Sequence, residues 1–266
     1  DELNISAGEI TVYSYDDGLH ADYGTVFEAG GKGRGTINIS GGSVTMAVYS
    51  PENKTAGGRM GPGGMGGWSS QQSVSGADGI HADYRLNISG GTVKIDSAYE
   101  GLEANVISIS GGTVYVAGND DGINATKGVE TPQINISGGY LDVTVSANGD
   151  TDGIDSNGEL TISGGVVIVE CQISGGMGGS FDSDGTATLS SKTVLGFSTG
   201  SSEAGTNYSV TFSTANYYGT SYVAFKPSIS GRYMVATTGQ PSQVNSISGY
   251  GKNVTFPSGG TVYYNE

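Results

Sequence analysis

The stretch Leu86-Asn87-Ile88-Ser89-Gly90-Gly91-Thr92-Val93-Lys94-Ile95, continued by Ala98-Tyr99-Glu100-Gly101-Leu102-Glu103-Ala104-Asn105, decides the fold. Apolar and polar residues alternate through Leu86 to Ser89, and Gly90-Gly91 interrupts the run. Alternation resumes from Thr92 to Ile95. Ala98 to Gly101 reads as a corner and Leu102 to Asn105 as a third short strand. Ile-Ser-Gly-Gly recurs at Ile39, Ile88, Ile109, Ile136 and Ile162, with spacings of 21, 27 and 26 residues after Ile88. Three short strands joined by corners and repeated at this period describe the coil of a parallel β-helix, an all-β solenoid. Period two then assigns the core: Leu86, Ile88, Val93, Ile95, Leu102 and Ala104 point inward. Their counterparts are Ile107, Ile109, Val114, Val116 and Ile123, then Ile134, Ile136, Leu141, Val143 and Ile154.

The repeat spans residues 1–185, broken by a Gly- and Met-rich insertion at 47–75. A loop of that length is functional or unstructured. From about Thr186 the repeat fades, and residues 186–266 read as degenerate coils or strands that cap the stack and cover its edge. The chain opens within a repeat at Leu3-Asn4-Ile5-Ser6, as expected of an excised mature region whose targeting segment is absent.

Of 266 residues, 35% are hydrophobic and 48 are glycine, which suits a solenoid with a glycine at every turn better than an ordinary globular core. The net charge is −15, from 26 acidic and 11 basic residues. That sign disfavours nucleic acid as a partner and favours a cation. No segment is long and apolar enough to span a membrane. The single cysteine, Cys171, shares the parity of Val167 and Val169 and reads as a small buried hydrophobe. Asn-Ile-Ser triplets at Asn4, Asn38, Asn87 and Asn135 match a glycosylation sequon, but glycans on successive coils would collide. A ladder of side-chain amides and hydroxyls is the better account.

Each coil also carries an acidic step built on a glycine, and aligning these steps gives three polar columns. Asp17, Asp78, Glu100, Asp121 and Asp152 precede the glycine. His20, His81, Glu103, Asn124, Asp155 and Asp182 lie two residues after it. Asp22, Asp83, Asn105, Thr126, Asn157 and Asp184 lie four after it. Turn formation explains the first column; it does not explain acids two and four residues on. Carboxylates about 5 Å apart repel unless some are protonated or a cation sits between them. Oxygen donors without thiolates suit Ca²⁺. The candidate ligands are Asp121, Asn124, Asp152, Asp155 and Asp182 in the later coils, and Asp78, Glu100 and Glu103 with Asp17 and Asp83 in the earlier ones. The acid-rich middle and end of the stack are the expected place for the ion. His20 and His81 occupy equivalent positions and stack if their coils are adjacent. Such a pair is open to a transition metal or to proton shuttling, but an imidazole–carboxylate ladder on a polar face is the expected arrangement, and a His₃ zinc site is excluded because the chain has no third histidine.

Ile-Ser-Gly-Gly-(Thr/Ser)-Val, Asp-Gly-Ile-(His/Asp)-Ala and the insertion from Gly57 to Trp68 together resemble a family of bacterial, chiefly clostridial, carbohydrate-binding-domain proteins. The resemblance covers about residues 1–185. It implies a right-handed parallel β-helix related to calcium-dependent pectate lyases, secretion or cell-surface display, and binding of plant-wall polysaccharides such as cellulose and pectic chains. Calcium is implied as cofactor, and the chain is expected to be a monomer. On that basis Tyr15, Tyr84, Tyr99 and Trp68, with His20 and His81, are the candidate sugar contacts. Two other readings remain. A calcium-dependent lyase acting by β-elimination needs a basic residue, for which Lys127 beside the Asp121 column is the better of the two lysines in the regular coils. A spacer in a surface adhesin would need none of these sites.

Overall fold

In the computed structural model the described residues are 1–24, 34–49, 76–147, 151–173 and 179–189, with further strand segments at 193–198, 209–211, 232–236, 241–244, 254–255 and 261–262. They form an all-β structure, with no helix among them. Nineteen of the strands belong to one sheet that curls around an apolar interior. The insertion at 50–75, Trp68 included, lies outside the described residues, whereas residues 47–48 belong to the strand Ser43–Val48.

Each repeat contributes three strands, and each strand pairs in parallel with its counterpart in the next repeat. Glu2–Ile5 lies on Thr36–Ile39, which lies on the second half of Ile80–Ile88. Glu9–Ser14 lies on Ser43–Val48, then on Thr92–Ala98 and Thr113–Gly118. The short strands Leu19–Ala21, Ile123–Ala125, Ile154–Ser156 and Phe181–Ser183 form the third side, together with the first halves of Ile80–Ile88 and Leu102–Ile109. Every core position named above is buried, between 0% and 3% exposed, so period two assigned each face correctly. Cys171 is also buried, and its thiol donates to the carbonyl of Thr151 at 3.4 Å.

Two of the expected three-strand coils differ in detail. Gln133–Ala147 and Glu159–Ile173 run as single 15-residue strands through their Gly-Gly steps, with the break expressed as a register shift. Parallel pairing also continues beyond residue 185. Thr193–Ser198 lies on Glu159–Ile173, and Ser209–Thr211 lies on Thr186–Leu189. Pairing turns antiparallel at Arg232–Ala236 and Pro241–Val244, and Val254–Thr255 pairs antiparallel with Thr261–Val262 in a separate two-stranded sheet.

The Ser-Gly-Gly corner has a steric origin at both of its glycines. A Cβ on the first, as at Gly138, would meet the carbonyl oxygen of Ser110 in the previous repeat at 2.3 Å. The second glycine adopts positive φ at Gly42, Gly91, Gly112, Gly139 and Gly165, between 76° and 87°, where side chains are strained. Ala7 replaces the first glycine only in the repeat that has no described repeat beneath it. Alongside this corner the asparagines form the expected ladder. Asn38 Nδ2 donates to Asn4 Oδ1 (2.9 Å) and Asn87 Nδ2 to Asn38 Oδ1 (2.8 Å), so these amides are engaged between repeats.

The acidic corner is equally tight. A Cβ on Gly101 would lie 2.1 Å from Val116 Cγ1 and 2.5 Å from the carbonyl oxygen of Gly122. Gly101→Ala is therefore expected to cost about 1–3 kcal/mol, the usual range for overpacking. In heat denaturation it lowers Tm by several degrees, whereas Tyr13→Ala on the exposed face leaves Tm nearly unchanged. Equal effects for the two variants would contradict the packing described here.

Candidate metal and glycan site

The third side of the stack carries the ionisable column. His20, His81, Glu103, Asn124, Asp155 and Asp182 are consecutive register partners, as the alignment on glycine requires. The backbone of the glycine step holds them there. Gly79 N–H donates to the carbonyl of Glu100 (2.9 Å), Gly101 N–H to that of Asp121 (3.1 Å) and Gly122 N–H to that of Asp152 (3.0 Å).

Residues just before the glycine have a structural task. Asp17 Oδ1 accepts from the backbone N–H of Asp78 (2.8 Å), and Asp78 Oδ1 from that of Glu100 (3.1 Å). Asp121 Oδ1 accepts from Asp152 N–H (2.7 Å), and Asp152 Oδ1 from Gly179 N–H (2.6 Å). Each aspartate thus closes the next corner. Glu100 is the exception in the column. Its longer side chain reaches sideways, where Oε1 accepts from Asn124 Nδ2 (3.0 Å), and its Oε2 is buried with no hydrogen-bond partner.

The first three coils bring these groups together most closely. His20 and His81 stack with ring centroids 4.7 Å apart and planes 14° from parallel. His20 Nδ1 lies 2.7 Å from Asp17 Oδ2; His81 Nδ1 lies 3.1 Å from Asp78 Oδ2 and 3.0 Å from Glu103 Oε2. On the opposite edge, His81 Nε2 lies 3.2 Å from Asp83 Oδ1. Three groups place their donor atoms within 4.8 Å of one another: His20–His81–Asp83, Asp17–Asp78–His81 and Asp78–Glu100–Glu103. Asp121, Asp152, Asp155 and Asp182 enter no such three-ligand group among the described residues, although Asn124 touches Glu100. The compact cluster is therefore in the first coils rather than in the acid-rich middle and end.

Burial and proximity redistribute the protons of this cluster. Burial opposes charge on His81, but its hydrogen bonds to Asp78 and Glu103 outweigh that and push it up to about 11. Asp78 is pushed up to about 7, chiefly by burial. Burial also opposes charge on Glu103, but its hydrogen bond to His81 prevails and draws it down to about 2. The difference follows exposure: the side chain of Asp78 is 2% exposed and that of Glu103 is 15%. Glu100 stands well above the ordinary carboxylate range because it is buried and faces Glu103, Asp78 and Asp121. Burial likewise holds Asp121 well above that range.

Beside the cluster opens a cleft of about 400 Å³, lined by Tyr23, His81, Asp83, Glu103, Thr126 and Lys127, among others. Asn105, from the third acidic column, builds its wall. Its Nδ2 donates to the carbonyls of Thr126 (2.9 Å) and Glu130 (3.0 Å), and its Oδ1 accepts from Glu130 N–H (2.8 Å). Arg85 braces the same loop, pairing with Glu130 at 2.7 Å while its guanidinium lies over the Tyr84 ring. Sequence reasoning placed Asn105 in its column without a role, and it missed Arg85 and Glu130. Their pairing crosses 45 residues with no local signal.

The aromatic candidates do not share one surface. Tyr15 is 81% exposed, Tyr84 is held edge-on to Tyr23 at 5.9 Å, and Tyr99 is half-buried at the corner before Glu100. Burial, reinforced by Asp120, raises the Tyr99 hydroxyl well above its ordinary range. Tyr115 and Tyr140 pair at 5.9 Å on the second side of the stack. Near them a shallower depression of about 210 Å³ is lined by Lys94, Asp96, Tyr115, Asp142 and Thr144, among others.

Stacked three-strand repeats that align ionisable side chains beside an open polar cleft define an all-β repeat protein. Family comparison matches residues 1–122 and, in a second overlapping match, residues 74–213 to the carbohydrate-binding domain-containing protein family, and the chain belongs to that family. No curated protein and no solved structure matches the chain. Among the described residues no helix is long and apolar enough to cross a membrane.

Asn105→Ala removes all three bonds that hold the cleft wall. It is expected to cost about 1 kcal/mol, since it leaves part-buried backbone groups without their protein partner. Amide hydrogen exchange at Glu130 should accelerate more than at Ile107, whose neighbouring strand stays paired. Unchanged protection of Glu130 would show that the wall does not depend on Asn105.

Proposed function

We propose that this chain is a non-catalytic, calcium-assisted polysaccharide-binding protein, secreted or displayed at the bacterial surface, that acts as a monomer on plant-wall polymers of the cellulose or pectic type. The cleft carries this reading. Asp83 and Glu103 offer acceptors to sugar hydroxyls, and Lys127 is a donor for hydroxyls or a uronate. Membership of a carbohydrate-binding family supplies the ligand class. Repeat-on-repeat parallel pairing is compatible with a parallel β-helix, whose long side suits an extended polymer; its right hand and its relation to calcium-dependent pectate lyases are part of the proposal and rest on the resemblance of the repeat.

The donor set fits calcium on an observation independent of the family. Asp78, Glu100 and Glu103 each bring a carboxylate oxygen within 4.8 Å of the other two, and Glu100 Oε2 has no partner. Oxygen ligands of this kind suit a hard divalent cation. Calcium supplies, when bound, the charge that lets these acids ionise together and a bridge to oxygen atoms of the sugar. Without it the cluster keeps protons, as the raised Asp78 and Glu100 show.

A stability dependence follows. Unfolded Asp78 releases its proton near 3.8, whereas the folded group holds it to about 7. The ligand-free protein therefore loses stability as pH rises across that window. His81 acts in the same direction from 6.5 upward, because its folded value is about 11. Calcium replaces protons, so its increment in Tm should be larger at about pH 8 than at about pH 5. Glu100→Gln should reduce that increment while leaving the ligand-free Tm at neutral pH nearly unchanged. No calcium increment at either pH would remove calcium from the proposal.

Lys127 stands in the same cleft as Glu103, and this favours a lyase as the second reading. There the lysine would take the proton alpha to a uronate while the glycosidic oxygen leaves. Retention on insoluble cellulose and pectin, with calcium or with a chelator, separates the readings. Binding without unsaturated product, weakened in Lys127→Ala, supports the binding protein. Product formation abolished in Lys127→Ala supports the lyase, and retention on neither polymer rejects the binding reading.

A further inference from the structure

The pair His20 and His81 is built differently from the oxygen-only cluster beneath it. Both rings are register partners, both come from the third side of the stack, and both have their Nδ1 edge against carboxylates. Asp17 lies 2.7 Å from His20 Nδ1, and Asp78 and Glu103 lie 3.1 and 3.0 Å from His81 Nδ1. A carboxylate that accepts a hydrogen bond from Nδ1–H fixes the neutral imidazole in the tautomer whose Nε2 lone pair can bind a metal, the supporting arrangement found behind metal-bound histidines. Both Nε2 atoms here face one carboxylate oxygen: Asp83 Oδ1 lies 3.8 Å from His20 Nε2 and 3.2 Å from His81 Nε2.

This edge is accessible. The His20 side chain is 46% exposed and that of Asp83 33%, and His81 and Asp83 line the cleft. The Asp83 carboxylate is itself oriented, because its Oδ2 accepts from the backbone N–H of Tyr23 at 2.7 Å and leaves Oδ1 toward the rings.

From this geometry we infer that His20 Nε2, His81 Nε2 and Asp83 Oδ1 form a binding site for a borderline divalent transition ion such as Zn²⁺ or Cu²⁺, distinct in donor chemistry from the calcium cluster. Imidazole nitrogen selects such ions over calcium, which takes oxygen. Two imidazoles and one carboxylate make a three-ligand set that leaves a further position for water or a sugar oxygen. Electrostatics favours a dication, because Asp17, Asp78, Asp83 and Glu103 surround the two imidazoles. The near-parallel rings must converge to share one ion. His20, in the outermost described repeat and half-exposed, has the room to turn its ring toward the Asp83 side. The site does not rest on polysaccharide binding or on calcium.

The test uses the full chain without an affinity tag, freed of metal and held in excess calcium so that oxygen sites are filled. Titration with Zn²⁺ followed by calorimetry should give one equivalent per chain. His20→Gln and Asp83→Asn should each weaken binding by about tenfold or more, and Asp17→Asn by about tenfold through loss of the supporting hydrogen bond. The metal-free Tm of His20→Gln should match that of the parent, because this side chain is half-exposed. Cu²⁺ in place of Zn²⁺ should show nitrogen hyperfine coupling in its electron paramagnetic resonance spectrum, lost in His20→Gln. Absence of Zn²⁺ binding under excess calcium, an oxygen-only copper spectrum, or equal affinity in His20→Gln would each overturn the site.

Discussion

The structure depends on how closely one repeat can approach the next. Backbone hydrogen bonding between parallel strands fixes neighbouring repeats about 4.8 Å apart, and at that distance the Ser-Gly-Gly corner has no space for a side chain. The carbonyl of Ser110 would lie 2.3 Å from a Cβ at Gly138, and Gly139 must in addition turn through positive φ. A sequence that keeps both glycines can stack indefinitely. Register follows directly, because the corner permits only one alignment of each repeat on its neighbour.

Strict register forces like onto like. In the interior this is favourable: Ile37, Leu86, Ile107, Ile134 and Leu160 form one dry column. On the third side it places carboxylates over carboxylates, and the chain answers this in three ways. Aspartates before the glycine turn one oxygen to the next corner's N–H. In the middle of the column Asn124 substitutes an amide for an acid and donates to Glu100. The first two coils interleave imidazoles, so that His81 neutralises Asp78 and Glu103. What is left over is Glu100, buried with one oxygen unpartnered, and the charge imbalance that makes a cation the natural complement.

Much of this was legible because the repeat itself is the signal. Period two around Ile88, Ile109 and Ile136 placed correctly each core residue that it named, and alignment on glycine placed His20 over His81 and Glu103 over Asn124. The Asn4–Asn38–Asn87 ladder was legible for the same reason. A count of carboxylates favours the coils with Asp121, Asp152, Asp155 and Asp182, whereas the three-ligand His/Asp/Glu groups among the described residues lie in the first three coils. Proximity depends on side-chain direction: Asp121 and Asp152 each turn an oxygen toward a corner N–H and Asp155 accepts from Asn157, whereas the imidazoles and glutamates of the first coils converge. Glu100 looks like one more member of its column in sequence, and only its extra methylene carries it off the corner and into the interior.

The sequence by itself determined the strand period, the core, the corners and the stacking of equivalent residues, because each follows from local alternation and from a repeat that pairs with its own copy. Tertiary structure alone decided how the cleft of the candidate site is built. The cleft wall needs Asn105 to hold Thr126 and Glu130, and Arg85 to reach Glu130 across two repeats. The tyrosines are spread over different sides for the same reason: exposure depends on which neighbour fills the adjacent space. Repeats dictate what lies above what, but the residues between repeats decide what lies beside what, and the site is made of the latter.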